Sequence, residues 1–285
     1  MCYNIKNMVV KNFKSKIELK NDGELSIFFV GTGSAFSKIN YQTNFLIIKG
    51  EEHILVDCGS LCPFALETNY NTRISEINSI LPTHPHADHI GGLEELALIG
   101  YYVKRSKPTM IITDEFKKKL WNESLRGGIQ FSENGKMVFD DYFIQAKPNL
   151  IQSKPFQMFE IDLGTVNIKL FRTRHVTTLQ NSLRNSQISY GLIVDDRILF
   201  SGDTQFNPEQ LNYLLANYKI ETIFHDCDFT GFSGGVHATY KQLITLPAEI
   251  KKITYLCHYN SSAEKVSPPE DGFAGFTKPG VYYIF

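Results

Sequence analysis

Thr83-His84-Pro85-His86-Ala87-Asp88-His89 follows the apolar pair Ile80-Leu81 and is soon followed by Gly91-Gly92. The imidazoles and carboxylate of His84, His86, Asp88 and His89 crowd into one short stretch. In a tight turn, His84 and His86 point one way and Asp88 and His89 another. That arrangement serves two metal ions a few ångström apart rather than one. Imidazole mixed with carboxylate suits Zn²⁺, and also Mn²⁺ or Fe²⁺. The bland alternative is a chance cluster of surface histidines. The chain holds only 8 histidines in 285 residues, and three of them in this spacing argue for ligation.

A two-metal site needs further ligands from elsewhere in the chain. His175, Asp203 and His258 each come just after a stretch that reads as a strand (residues 166–171, 197–200 and 252–256). Side chains beyond strand ends can converge. Ile54-Leu55-Val56-Asp57-Cys58-Gly59 is echoed by Ile198-Leu199-Phe200-Ser201-Gly202-Asp203. Both are an apolar strand followed by aspartate and glycine. Two halves of strands and helices, each with an aspartate at a strand end, suggest a duplicated α/β layout whose ligands bind beyond the strand ends.

Working outward, further strands are expected at 26–30, 44–48, 53–56, 189–194 and 220–224. Helices are expected at 93–99, from Thr113-Asp114 to about residue 125, at 207–217 and at 240–246. Arg126-Gly127-Gly128 reads as a helix break, and 130–153 has no clear pattern. Residues 1–24 read as a solvated N-terminal strand or arm, with alternation over 16–20. No linker or repeat divides the chain, so a single domain over residues 1–285 is expected. Hydrophobic residues make up 42% and charged residues 21%, which excludes disorder and collagen-like structure. The 29 basic and 30 acidic residues nearly cancel, which argues against an extended nucleic-acid-coating surface. No apolar run has membrane-spanning length. The N-terminus, whose longest apolar run is Met8-Val9-Val10, is too polar for a secretion leader. Five cysteines without a CxxC pair read as reduced core thiols of a cytoplasmic protein. His53, beside Glu51 and Glu52, reads as a surface residue.

With these residues in place, the sequence over about 25–260 resembles the metallo-β-lactamase superfamily. The resemblance implies an α/β fold, an αββα sandwich of two β-sheets flanked by helices. It implies two divalent metal ions, both Zn²⁺, with Mn²⁺ as the alternative. The first is held by His84, His86 and His175, and the second by Asp88, His89 and His258, with Asp203 bridging. Asp57 matches the early aspartate that orients the histidine turn. Two metals activate water near neutral pH and polarise a phosphoryl or acyl oxygen, so hydrolysis is expected. Oxygen-reducing relatives carry a carboxylate where this chain has His86, which disfavours redox chemistry.

Phe28-Phe29-Val30-Gly31-Thr32-Gly33-Ser34-Ala35-Phe36 is similar to the start of the ribonuclease Z branch. His237-Ala238-Thr239 is similar to that branch's proton-donating histidine. The resemblance makes His237 the donor to the leaving oxygen, oriented by Asp226, with Asp88 counted in the same catalytic set. Gly231, Gly234 and Gly235 suggest a loop that closes on substrate. The basic arm that holds a tRNA body is missing, because the stretch from His175 to Asp203 is filled by a turn and two strands. A small phosphodiester fits better than a large polyanion. The C-terminal stretches Leu246-Pro247-Ala248-Glu249-Ile250-Lys251, Tyr255-Leu256-Cys257-His258-Tyr259 and Gly272-Phe273-Ala274-Gly275-Phe276 look like the anti-Pycsar proteins of phages. That family implies a homodimeric phosphodiesterase. It opens cyclic CMP and cyclic UMP, with cyclic AMP and GMP as further substrates, to nucleoside monophosphates and counters a cyclic-nucleotide antiphage defence. Its place would be the host cytoplasm. Tyr259, Phe273 and Phe276 are the aromatic residues considered for stacking the base. Competing readings are a tRNA 3′-endonuclease, a thioesterase or lactonase on the same scaffold, and a metal-bound sensing module without catalysis.

Overall fold

Ile27-Phe28-Phe29-Val30 is an unbroken apolar run and is buried throughout, as a strand covered on both faces requires. The run lies in a sheet of a computed structural model that describes residues 8–177, 186–230 and 235–285. Along the chain the strands are β1 (Val9–Asn12), β2 (Ser26–Gly31), β3 (Asn44–Lys49), β4 (Glu52–Val56), β5 (Ser79–Leu81) and β6 (Thr109–Ile111). A short hairpin, β7 (Phe131–Ser132) and β8 (Gly135–Lys136), precedes β9 (Ile144–Ala146). There follow β10 (Asn149–Gln152), β11 (Met158–Leu163), β12 (Val166–Arg172), β13 (Tyr190–Val194) and β14 (Ile198–Phe200). The last are β15 (Thr222–Asp226), β16 (Thr254–Cys257), β17 (Gly275–Phe276) and β18 (Val281–Ile284).

The chain forms two compact units. The first comprises Val9–Gly31, Tyr41–Pro148 and Pro279–Phe285, and the second comprises Thr32–Asn40 and Asn149–Lys278. The first unit holds an eight-stranded sheet in the order β1-β18-β2-β3-β4-β5-β6-β9. Its pairings are antiparallel as far as β4 and parallel from β4 through β5 and β6 to β9. The second unit holds an eight-stranded sheet in the order β10 to β17. It is antiparallel as far as β14 and parallel from β14 to β17. The two sheets repeat one plan, so the echo between 54–59 and 198–203 marks equivalent positions. Asp57 follows β4 where Ser201-Gly202-Asp203 follows β14.

Helices flank each sheet. In the second unit, Pro208–Asn217 starts where the Asn207 side chain accepts from Gln210 N. Pro208 at the first helical position costs no hydrogen bond. Leu211, Leu214 and Leu215 recur at helical spacing and pack with Phe171, Ile193, Leu199 and Ile223 of the sheet. In the first unit, Cys62–Tyr70 buries Cys62, Ala65, Leu66 and Tyr70, and its Asn71 cap lies in the left-handed region at φ 49°. Tyr70 meets Phe28 edge-on at 5.1 Å. No helix among the described residues is long and apolar enough to cross a membrane.

Several expectations are corrected. Residues 16–20 are not a strand; Ile17 is buried and its N–H donates to Thr72 Oγ1. The edge strand is β1, which pairs with β18. Arg126-Gly127-Gly128 does not break its helix. Asp114–Leu120, Trp121–Leu125 and Arg126–Ile129 run on as α, π and α turns. Gly128 lies against the Glu94 carboxylate, where a Cβ would stand 2.3 Å from Glu94 Oε2, and the helix continues through it. Only Tyr240–Leu243 of 240–246 is helical, and a second short helix, Ala248–Lys251, follows Pro247. The patternless stretch 130–153 holds β7 to β10 and the helix Phe139–Tyr142, and β16 is followed by two more strands. His53 is buried, with Nε2 against Glu76 O and Asn78 N.

Candidate metal centre

The first unit presents its histidine turn between β5 and the short helix Ala87–Ile90. Asp57, at φ 63°, ties that turn down. Its N–H donates to Leu81 O (3.0 Å). Its Oδ1 accepts from Thr83 N (2.6 Å), and its Oδ2 accepts from Thr83 Oγ1 (2.8 Å) and His89 Nδ1 (2.7 Å). Burial pushes the Asp57 carboxyl up, and His89 and Thr83 oppose that shift. One carboxylate thus holds both Thr83 and His89.

The same contacts choose tautomers. The Thr83 hydroxyl donates to Asp57, so its oxygen accepts from His84 Nδ1 at 3.1 Å. His84 and His89 both commit Nδ1 as the donor and turn a lone pair outward on Nε2. His84 Nε2 lies 3.1 Å from His86 Nδ1. Two nitrogens on one tetrahedral cation stand about 3.4 Å apart when each bond is about 2.05 Å. His89 Nε2 lies 3.1 Å from Asp88 Oδ2. His84, Asp88 and His89 are buried. Two pairs of donors at such spacing in a buried turn fit divalent cations.

The second unit carries the other donors. His175 comes three residues after β12, and its Nδ1 donates to Val236 O (3.0 Å). Its Nε2 faces Asp203 Oδ2 at 3.8 Å. His258 follows β16 with φ 59°, and its Nε2 stands 3.3 Å from the same oxygen. One Asp203 oxygen thus lies within 4 Å of imidazole nitrogens of His175, His258 and His237. Its backbone oxygen accepts from Thr173 Oγ1 (3.0 Å) and Ser189 Oγ (3.1 Å). Gly202 makes the turn at φ 58°, where a Cβ would stand 2.3 Å from Tyr190 O.

Beside these donors lies an acid–base pair. Asp226 ends β15, and its Oδ2 accepts from His237 Nδ1 (2.7 Å) and Thr204 N (3.0 Å). Asp226, His237 and His258 each offer a donor atom, all within 4.8 Å of one another. Burial pulls the His237 imidazole down, but the Asp226 carboxylate, with Asp203 and Asp228 farther off, pushes it up to about 10. The Asp226 carboxylate thus favours the protonated imidazole of His237. The His-Ala-Thr motif has a local logic. Ala238 is fully buried in the helix core. Thr239 caps Tyr240–Leu243 by exchanging hydrogen bonds with Gln242. Asp228 N donates to Ala238 O, and Tyr240 N donates to Asp228 O. His237 is left facing Asp226.

A family model described as "Anti-Pycsar protein Apyc1" matches residues 25–283. The chain belongs to the anti-Pycsar Apyc1 family. It is 34% identical to the anti-Pycsar protein Apyc1 of Paenibacillus sp. (strain J14), over 84% of this chain and 91% of that protein. It is 32% identical to that of Bacillus phage vB_BsuM-Goe3, over 83% of this chain and 89% of that protein. Among solved structures it is similar to the metallo-β-lactamase fold protein YhfI from Bacillus subtilis (TM-score 0.65, 15% identity, 92% of this chain and 100% of that one). It is also similar to human tRNase Z, short form (TM-score 0.61, 16% identity, 90% and 98%). These likenesses show the metallo-β-lactamase fold. An anti-Pycsar chain on this fold, with these histidine and aspartate donors, is a metal-dependent hydrolase.

The aromatic expectations are corrected in part. Phe273 is 4% exposed and packs in the core of the second unit, so the helices and sheet hold both its faces and no base stacks on it. Tyr259 is 6% exposed, and its hydroxyl donates to Thr277 O (2.8 Å). Phe276 packs half-buried against it, with ring centroids 4.7 Å apart. Cys58 is inert: a hydrogen bond to Cys62 and burial push its thiol well up. Of the proposed closing loop, Gly231 and Gly234 lie outside the described residues, and Gly235 has φ 77°. Sequence reasoning quoted Thr83 without a role and passed over the Val236 carbonyl. The residue between a strand end and the first ligand was the signal for Thr83. A backbone oxygen leaves none.

Proposed function

We propose that this anti-Pycsar chain is a phosphodiesterase that opens cyclic mononucleotides, cyclic CMP and cyclic UMP above all, to nucleoside monophosphates. On this reading the chain holds two divalent cations, Zn²⁺ or Mn²⁺. His84, His86 and His175 would hold one, Asp88, His89 and His258 would hold the other, and Asp203 would serve as the remaining donor. When bound, the cations supply activated water near neutral pH and polarise the phosphoryl oxygens. The chain's own residues do the rest. Asp57 and Thr83 hold the histidine turn in the ligating tautomer. Asp226 holds His237 with its second nitrogen free to donate.

The His237–Asp226 pair carries the reading. A departing ribose 3′-oxygen is a poor leaving group and needs a proton in the transition state. An imidazole pinned at 2.7 Å to a buried carboxylate, which favours its protonated form, provides it. A thioester has a better leaving group in its thiolate and no such need, so the pair favours the diester over a thioester. The near balance of 29 basic and 30 acidic residues favours a small diester over a pre-tRNA. Relief of a cyclic-nucleotide antiphage defence, a homodimer and a host-cytoplasm location belong to the same proposal.

The test is turnover of cyclic CMP, UMP, AMP and GMP with Zn²⁺ or Mn²⁺, beside a pre-tRNA with a 3′ trailer. Cyclic pyrimidine nucleotides converted to monophosphates, with that conversion lost in His237→Ala, are expected. Trailer cleavage with inert cyclic nucleotides would overturn the proposal in favour of RNA processing.

A further inference from the structure

Phe36 is 90% exposed, and the backbone around it explains why the ring stands out in water. It sits in a turn closed by Ser37 N donating to Ser34 O (3.0 Å). The flanking residues are anchored. Thr32, Gly33 and Ser37 are buried, and the Ser37 hydroxyl donates to Ile39 O (2.8 Å). Both ends of the segment are stitched to the strand end that carries His258. Ser34 N donates to Tyr259 O (3.0 Å), and Tyr259 N donates to Thr32 O (3.3 Å). The Thr32 hydroxyl donates to the Tyr259 hydroxyl (3.0 Å), which Asn40 Nδ2 also reaches (3.4 Å). Phe36 is therefore two residues from a backbone hydrogen bond to the neighbour of His258. At about 3.5 Å of chain per residue, its Cα stands within about 7 Å of Ser34.

A single exposed apolar side chain needs no explanation by itself. Two further facts change that here. The turn is pinned on both sides, which fixes the backbone position from which the ring projects. The other aromatics of this strand end are engaged in packing: Tyr259 is 6% exposed, and Phe276, half-buried, lies against it with ring centroids 4.7 Å apart. Beside the strand end that carries His258, Phe36 is the aromatic ring that stands most fully in water.

We propose that Phe36 is the stacking platform for the substrate's nucleobase, an inference that rests on the cyclic-nucleotide reading above. Stacking of this kind accepts any base because every base has a π-face. It holds ground state and transition state alike, so it acts on KM rather than kcat.

Steady-state kinetics of Phe36→Ala on cyclic CMP, and on a ribose cyclic 3′,5′-phosphate lacking the base, test it. The expected result is a KM for cyclic CMP raised about fivefold or more, the low end of what one base–aromatic stack contributes. The kcat stays unchanged, the base-free diester is indifferent to the change, and Phe36→Trp restores the KM. An unchanged KM for cyclic CMP overturns the proposal. So does an equal loss on both substrates, which marks a role in the turn alone. Conversion to a smaller species in sedimentation velocity with KM unchanged also overturns it, because the ring is then an interface between copies. Wild-type protein inert toward every cyclic nucleotide overturns the functional reading as well. Wild-type turnover insensitive to residue 36 overturns this inference alone.

Discussion

At His237, burial and charge act in opposite directions, and charge wins: the imidazole is pushed up from 6.5 to about 10. A raised folded value means that the His237–Asp226 pair stabilises fully below about pH 6.5 and loses that contribution as pH rises through about 10. Cations held by Asp203 and His258 lower the value, so the measurement belongs on chelated protein. Between pH 7 and 10, the Tm of chelated wild type should fall more steeply than that of His237→Gln. Parallel curves would show that the pair carries no such linkage. In catalysis, His237→Ala should lower kcat by about 10²- to 10⁴-fold on cyclic nucleotides, the usual worth of a placed general acid. An activated diester with a nitrophenol leaving group should be spared most of that loss. At Asp57 the expected effect is on metal, not on proton transfer. Asp57→Ala releases Thr83 and His89, and should weaken metal affinity about 10- to 100-fold in a competition titration with a chelating dye.

At the scale of elements, local sequence pattern was informative wherever a side chain reports its own environment. The apolar run of β2, the Asn207-Pro208 start of its helix and the Asp57 and Asp203 strand ends were legible for that reason. The helix Cys62–Tyr70 was not, because its apolar residues make no clean stripe and its ends rest on Pro63 and on the left-handed Asn71. Arg126-Gly127-Gly128 was misread because glycine in sequence does not say whether it ends a helix or lies within one, as Gly128 does against Glu94. Gly202 is the opposite case. Its φ is positive, and any Cβ there would stand 2.3 Å from the Tyr190 carbonyl oxygen, which leaves no relaxation. Gly202→Ala should destabilise by about 3 kcal/mol or more, since left-handed strain and a backbone clash add. Urea unfolding would measure it, and a cost near zero would mean that the turn carrying Asp203 adapts.

For the whole molecule, a bound ion that the unfolded chain does not hold stabilises the fold by mass action. Chelation should abolish hydrolysis and lower Tm, and stoichiometric Zn²⁺ or Mn²⁺ should restore both. Restored Tm without restored activity would point to a structural ion. Donor residues in close sequence spacing made the metal chemistry readable from the chain alone, because His84, His86, Asp88 and His89 need no distant partner to show their chemical type. The motifs around His237 and His258 likewise carried the family resemblance. Tertiary structure alone decided the rest. It paired β1 with β18 from opposite ends of the chain, a choice among many apolar strands that no local pattern encodes. It chose the histidine tautomers through Thr83 and a carbonyl of Val236. It sent Phe273 into the core and left Phe36 in water. Burial belongs to a side chain's neighbours, and those are set only when distant segments close on one another.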